Sequence, residues 1–439
     1  MLLFRQFVDE DLGCGSYLVG DEDAGVAAAI DPPYAIEPLL AEARAAGVEI
    51  VRVLETHTHA DHVSGHGRLA LEHGVPVSIH ELAEAEYPHD PIADGDVVRV
   101  GAVAIRVLHT PGHRPEHCAF VVDEKLVLTG DSLFVGDAAR PDLAVEAREG
   151  AEDLFRSLHR LAELPEAVEV YPGHVAGSLC GASMSSDPRS TIGRERATNT
   201  MLAARDVQEF VLASASVAAP RPPTVERVVA LNRGPWLALP EPPPPLDDRG
   251  DAVVLDVRPV EEFAAGHVPG ALHVPVSGTS FGTRAAFVLG AEEPFVLHAR
   301  DADEAAEAAR RLWAVGLFKI DGYVTAVAAP ETLATIDVAE LRRLLEEDAV
   351  QLVDVRETSE RDTGYIPGSR NIPYRLLRRA GSSALDATKP VVTICESGAR
   401  AAIAASVLAR EGFDSRAVVH GGVGDFDGDT VSFRRCGSS

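Results

Sequence analysis

The 439 residues allow about three domains at roughly 150 residues each, and 46% hydrophobic with 25% charged residues is a globular composition. Sixty-eight acidic against forty basic residues give a formal charge of −28, a field that repels phosphate backbones and excludes nucleic acid as a partner. No apolar run reaches the roughly 20 residues of a membrane span, no basic-then-apolar leader opens the sequence, and five scattered cysteines suit reduced thiols; a cytoplasmic protein with no membrane partner is expected.

In chain order, VRVLET (51–56), VAIRVLHT (103–110), CAFVVD (118–123), KLVLTGD (125–131) and VEVYPGH (168–174) read as strands ending in turns. Between the last two, residues 151–164 place Leu154, Leu158 and Leu161 on one helical face, so residues 1–240 form a mixed α/β domain. The proline-rich stretch EPPPPLDDRG at 241–250 reads as an extended linker. Beyond it a pattern occurs twice, VVLDVRPVEEFAAGHVPGALHVP (253–275) and QLVDVRETSERDTGYIPGSRNIP (351–373), so the tail is a duplication over 251–330 and 334–439. Each copy continues with a second apolar strand (292–299, 389–395) and an alanine-rich helix, which implies a parallel sheet with helices on both faces.

Residues 55–65, ETHTHADHVSG, put His57, His59, Asp61 and His62 within six positions. Residues two apart in an extended segment share a face, which directs His57 and His59 to one site. A turn into a helix capped by Ser64 brings Asp61 and His62 into the same space. His113 in TPGH, Asp131 in LTGD and His174 in YPGH each follow an apolar strand in a glycine-containing turn. Strand ends on one edge are where α/β proteins build sites, so these seven side chains are read as a metal centre. His73, His80, His89, His109, His159, His267, His273 and His420 are read as surface or core residues.

The HxHxDH run from His57 to His62 resembles that of the metallo-β-lactamase superfamily, which implies an αββα fold for about the first 240 residues. That superfamily contains glyoxalase II-type hydrolases with two zinc ions on such a set, Asp131 bridging, and dioxygenases with one Fe(II) on two histidines and a carboxylate. Glyoxalase II commonly has a second histidine where this chain has Ala60. FVGDAARPDL (134–143) and the segment 171–199 resemble the persulfide dioxygenases related to the ethylmalonic encephalopathy protein, the longer segment being specific to the rhodanese-fused branch. The resemblance implies one Fe(II) per chain on His57, His113 and Asp131, with His59, Asp61, His62 and His174 outside the ligand set, positioning the ligands and exchanging protons. It also assigns Arg140 to a carboxylate of the thiol substrate, gripped by two parallel hydrogen bonds; the alternative is a structural arginine tied to Asp142 or a carbonyl. Ala139 stands where that family has glycine. Cys180 is either a sulfur trap near the metal or a buried inert thiol.

In the last copy the strand VVTI leads to Cys395, Glu396, Ser397, Gly398, Ala399 and Arg400, then a helix. A thiol at a helix N-terminus among backbone N–H groups has a lowered pKa, and the loop cradles a persulfide while Arg400 attracts the anionic donor. This half resembles rhodanese, with the two DVR…PG segments as its signature and Asp354 and Arg356 structural. The first copy has His298-Ala299-Arg300-Asp301 as the corresponding loop, without a thiol, and is read as a packing module.

The expected enzyme is a persulfide dioxygenase fused to a thiosulfate sulfurtransferase, acting in sulfide detoxification. It oxidises a thiol persulfide with O2 to sulfite and thiol, while Cys395 exchanges sulfane sulfur with thiosulfate or sulfite. The alternatives are a dinuclear zinc glyoxalase II-type thioesterase fused to a sulfurtransferase, and a non-enzymatic sulfur carrier or redox sensor. The carrier thiol stays open among glutathione, coenzyme A, mycothiol, bacillithiol and hydrogen sulfide, and a homo-oligomer is compatible with the sequence.

Overall fold

Six strands form the first sheet in chain order: β1 (Leu2–Val8), β2 (Gly15–Asp21), β3 (Val26–Ile30), β4 (Glu49–Leu54), β5 (Val77–His80) and β6 (Asp90–Ile92). The first three are antiparallel and the rest parallel, with α1 (Glu37–Ala45) and α2 (His66–His73) as crossovers. Next come β7 (Val97–Val100), β8 (Val103–His109), β9 (Cys118–Val122), β10 (Leu126–Gly130), the hairpin β11 (Leu133–Phe134) and β12 (Asp137–Ala138), α3 (Ala147–Ala162), β13 (Glu169–Pro172) and β14 (Ser190–Thr191). The second sheet runs β14-β13-β10-β9-β8-β7. Helices α4 (Ile192–Thr198), α5 (Val207–Ala215) and α6 (Val225–Arg233) complete this part. The computed structural model describes residues 1–141, 147–175, 185, 187–215, 221–326, 330–378, 382–426, 428 and 430–432.

The period of two along a strand builds the layers. Tyr17 and Val19 of β2 pack between the sheets with Phe120 and Val122 of β9, while Leu18 turns to the outer side with Leu39 and Leu69. On the far side Ala119 and Val121 sit with Leu154, Leu158 and Leu161 of α3, the helical face read from the sequence. The result is the expected αββα sandwich.

The chain divides into two units, Met1–Pro240 with Trp313–Gly316, and Glu241–Leu312 with Leu317–Ser439. The second holds two parallel sheets. One runs β16-β15-β17-β18 and is built from β15 (Val253–Asp256), α7 (Val260–Ala265), β16 (Leu272–His273), α8 (Phe281–Val288), β17 (Phe295–His298), α9 (Ala302–Trp313) and β18 (Ile320–Val324). The other runs β19-β23-β22-β20-β21, from β19 (Ala334–Asp337), α10 (Val338–Glu346), β20 (Gln351–Asp354), α11 (Thr358–Thr363), β21 (Arg370–Asn371), α12 (Tyr374–Leu376), β22 (Val391–Ile394), α13 (Ala399–Arg410) and β23 (Ser415–His420).

The proline-rich stretch departs from a free linker. Leu246 N donates to Tyr323 O at 2.8 Å and Tyr323 N to Pro244 O at 2.9 Å, so the segment borders β18. A proline lacks an N–H and is tolerated at such an edge. The alanine-rich α13 is buried from Ala401 to Leu408. Its short side chains admit the first copy closely: His273 N donates to Ser406 Oγ at 3.0 Å and Arg410 to Gly270 O at 2.7 Å.

Candidate functional site

The seven predicted residues all lie in loops that leave the carboxyl ends of β4, β8, β10 and β13. Within them His57, His113 and Asp131 form one buried group whose potential ligand atoms lie within 4.8 Å of one another. Asp131 Oδ2 is 3.5 Å from His113 Nε2 and 4.0 Å from His57 Nε2. Among the described residues neither His57 Nε2 nor Asp131 Oδ2 has a hydrogen-bond partner, although burying a bare polar atom costs about 2–7 kcal/mol.

The other atom of each group is engaged, and that decides what faces the centre. Thr56 Oγ1 donates to Asp31 Oδ2 at 2.8 Å, so its lone pair receives His57 Nδ1–H at 2.9 Å. His113 Nδ1 donates to the Arg140 carbonyl at 3.0 Å. His174 Nδ1 donates to Asp131 Oδ1 at 2.7 Å. Two imidazole lone pairs and one carboxylate oxygen therefore converge, a donor set that fits a divalent cation with positions left open. Burial, reinforced for His57 by His59, keeps His57 and His113 below the ordinary imidazole range. Burial opposes ionisation of Asp131, but the field and hydrogen bond of His174 prevail and hold it at about 2. Neutral histidine and charged carboxylate are the forms that bind metal. Gly130 precedes Asp131 at φ +48°, where a Cβ would meet His117 Nε2 at 2.7 Å and Thr56 Oγ1 at 2.8 Å.

The other four predicted residues fall into two neighbouring groups. His59 Nε2 lies 3.2 Å from Glu55 Oε2 and 3.3 Å from Asp31 Oδ1, between two buried carboxylates. Asp61, His62 and His174 gather around Cys14, whose Sγ is 3.3, 3.4 and 3.3 Å from them in turn, and His174 Nε2 is 2.8 Å from Asp61. Ser64 is not the helix cap: Gly65 takes that place, and Ser64 Oγ donates to Glu55 at 2.6 Å.

Asp31, Glu55, Cys14, His117 and Asn232 were not legible as site residues. Asp31 and Glu55 carry a weak signal, a carboxylate just past an apolar strand, the same signal that marks Asp131. Cys14 and Asn232 carry none; Asn232 in α6 donates to the carbonyls of His59 and His62 at 2.9 and 2.8 Å from 170 residues away. Arg140 is buried and its carbonyl fixes His113. Asp142 and Cys180 lie outside the described residues.

At the carboxyl end of β22 the Cys395 thiol is buried and accepts a hydrogen bond from Gly398 N at 3.1 Å, and α13 begins at Ala399. Gly398 has φ +88°, and a Cβ there would lie 2.7 Å from Val419 Cα. Arg400 departs from the expectation of a guanidinium held for the donor: it grips Glu360 with two bonds of 2.6 and 2.7 Å, because a partly buried arginine needs a partner. Glu396 in the loop pairs with Arg356 at 3.1 Å, and Arg356 also holds Asp354 and the Gly364 carbonyl, a structural role as expected. In the first copy strand register aligns Asp256 with His298, whereas in the second Asp354 aligns with Ile394. Ala299, not His298, therefore occupies the place of the thiol.

Residues 19–174 match the family model of the metallo-beta-lactamase superfamily, and residues 245–327 and 337–429 that of the rhodanese-like domain. Over 235 residues the chain is 30% identical to the Homo sapiens mitochondrial persulfide dioxygenase ETHE1, covering 53% of this chain and 87% of that protein. It is 35% identical over 162 residues to a Rhodopseudomonas palustris hydroxyacylglutathione hydrolase, covering 36% of this chain and 61% of the hydrolase. The crystal structure of a Staphylococcus aureus metallo-beta-lactamase matches with a TM-score of 0.68 at 28% identity, over 75% of this chain and 99% of that one.

Proposed function

The chain belongs to the metallo-β-lactamase superfamily, has persulfide dioxygenases among the relatives of its first domain and carries two rhodanese-like domains, and from this premise we propose that it oxidises a low-molecular-weight thiol persulfide with O2. Its relatives support a sulfur-metabolising enzyme. The balanced reaction is RSSH + O2 + H2O → RSH + HSO3− + H+. One Fe(II) on His57, His113 and Asp131 would supply a redox centre with sites for two exogenous ligands.

This chain's own residues do the rest. Thr56, the Arg140 carbonyl and His174 fix the three ligand side chains so that no reorganisation is needed when the metal and substrate bind. His174, hydrogen-bonded to Asp131 on one side and Asp61 on the other, is the group placed to hold or pass a proton beside the centre. Asp61 is the partly exposed member of that set and links it to solvent. We assign Arg140 the carboxylate of the carrier thiol. In the second unit the Cys395 thiolate takes sulfane sulfur from thiosulfate, breaking its S–S bond and releasing sulfite; a thiol then removes that sulfur as RSSH. Gly398 N and the start of α13 stabilise the anionic sulfur.

The observation that carries the reading is the convergence of His57 Nε2, His113 Nε2 and Asp131 Oδ2, two of them buried without a partner among the described residues. Anaerobic purification should give one iron per chain, with O2 uptake and sulfite release on glutathione persulfide, and His57→Ala should lose iron and O2 uptake together. Two tightly bound zinc ions in active, natively metallated protein, with no O2 uptake, would replace this reading with the hydrolase.

A further inference from the structure

Among the described residues, three arginines of the second copy on the elements that flank the Cys395 loop are already committed. Arg400 holds Glu360, Arg356 holds Asp354 and Glu396, and Arg375 holds Glu357 with two bonds of 2.9 Å. None of these groups leaves a net positive charge, and the whole chain carries −28. An anionic sulfur donor approaching Cys395 therefore needs another positive group.

The first copy has one in place. Tyr374 starts α12 at the sheet edge that bears the thiol: its N–H donates to Val355 O at 3.1 Å, and Val355 N donates to Ile394 O at 2.9 Å, one residue before Cys395. Helix α8 of the first copy packs on this point, with the Phe287 and Tyr374 rings edge to face at 6.0 Å. Arg284 lies three residues before Phe287 and so on the same helical face. Among the described residues Arg284 has no carboxylate within ion-pair distance, and it is half-buried. Burial raises the Tyr374 phenol to about 12, and the two cations that oppose this most are Arg284 and then Arg400, which itself feels the Cys395 thiol.

We infer that Arg284, supplied by the copy without a thiol, is the guanidinium that recruits the anionic sulfane-sulfur donor, a dianion of the thiosulfate class, to Cys395. The first copy is then part of the transfer site. The inference rests on the sulfur-transfer reading of Cys395 given above. A guanidinium left unpaired can offer two parallel donors to a tetrahedral or trigonal oxyanion, which an arginine locked on glutamate cannot.

The full-length protein and its Arg284→Ala and Arg284→Lys variants test this with two readouts. In the thiosulfate sulfurtransferase assay Arg284→Ala should raise KM for thiosulfate about tenfold with kcat changed less than about threefold. In the second, Cys395 alkylation is followed by peptide mass spectrometry with iodoacetate and with iodoacetamide. The anionic reagent should slow at least about threefold relative to the neutral one in Arg284→Ala, and Arg284→Lys should restore much of the ratio. Equal slowing of both reagents would mean that Arg284 only supports the fold, and an unchanged ratio with unchanged KM would mean that it plays no part; either overturns the inference. Absence of transfer in the unsubstituted protein would instead reject the sulfur-transfer reading, while the alkylation ratio would still decide whether Arg284 draws anions.

Discussion

Arg140 has one observed task and one proposed task. Its carbonyl orients His113, a task that any side chain permits, whereas the proposed grip on a carboxylate needs the guanidinium. Arg140→Lys should therefore leave iron content unchanged. A hydrogen bond to a charged group is worth about 1.5–3 kcal/mol, so kcat/KM on glutathione persulfide should fall about tenfold to a hundredfold. With hydrogen disulfide, which has no carboxylate, the loss should largely disappear; equal loss on both substrates would reduce Arg140 to a structural residue. Thr56 offers a second test at this scale. Thr56→Val removes the acceptor that sets the His57 tautomer, and iron affinity measured by chelator competition should drop about tenfold to a hundredfold in a folded protein.

At the scale of elements, the turn from β22 into α13 stakes its geometry on Gly398. Alanine there meets both a left-handed backbone, about 1–2 kcal/mol, and the Val419 backbone 2.7 Å away. Gly398→Ala should lower the melting temperature of the second unit and reduce sulfur transfer, while iron content and O2 uptake stay as they were. The tie between α11 and α13 responds to pH. Burial opposes ionisation of Glu360, but the hydrogen bond and field of Arg400 prevail and hold its carboxyl below the ordinary range. A lowered folded pKa gives stability that is present above the unfolded value of about 4.3 and lost as pH falls through the folded value. Melting curves should place Glu360→Gln below the unsubstituted protein at pH 7, with a modest gap because the pair is partly exposed, and the gap should close below about pH 4.

For the whole molecule, the proposed oxidation and the proposed transfer belong to different units, so single substitutions should separate them. Cys395→Ser should abolish thiosulfate sulfurtransferase activity, because a hydroxyl cannot carry sulfane sulfur. O2 uptake on supplied persulfide should stay within about tenfold, or roughly 1.4 kcal/mol in barrier. Loss of both in a folded, iron-loaded protein would make the thiol part of the oxygenation. On the proposed reading, keeping a reactive persulfide on the chain that consumes it would raise its effective concentration, a physical advantage of the fusion.

The sequence by itself determined the layers and the candidate ligands. Alternating apolar residues in β2 and β9 leave each strand only one way to satisfy two cores, and the heptad-like spacing of Leu154, Leu158 and Leu161 does the same for α3. HxHxDH and the three strand-end residues were legible because a metal centre needs such groups at chain turns, and the duplicated DVR…PG pattern because each copy repeats one supersecondary unit. Which of the seven converge came from the family resemblance and not from the spacing of the residues, and only the tertiary structure supplies the physical reason. His59 is turned to Asp31 and Glu55, and Asp61, His62 and His174 to Cys14, by partners distant in sequence or on other strands. It likewise committed Arg400 to Glu360 and left Arg284, on the helix that packs against α12, with no carboxylate partner among the described residues. Local sequence fixes what a side chain can bind, but its actual partner depends on which other elements packing brings within about 3 Å, the reach of a hydrogen bond.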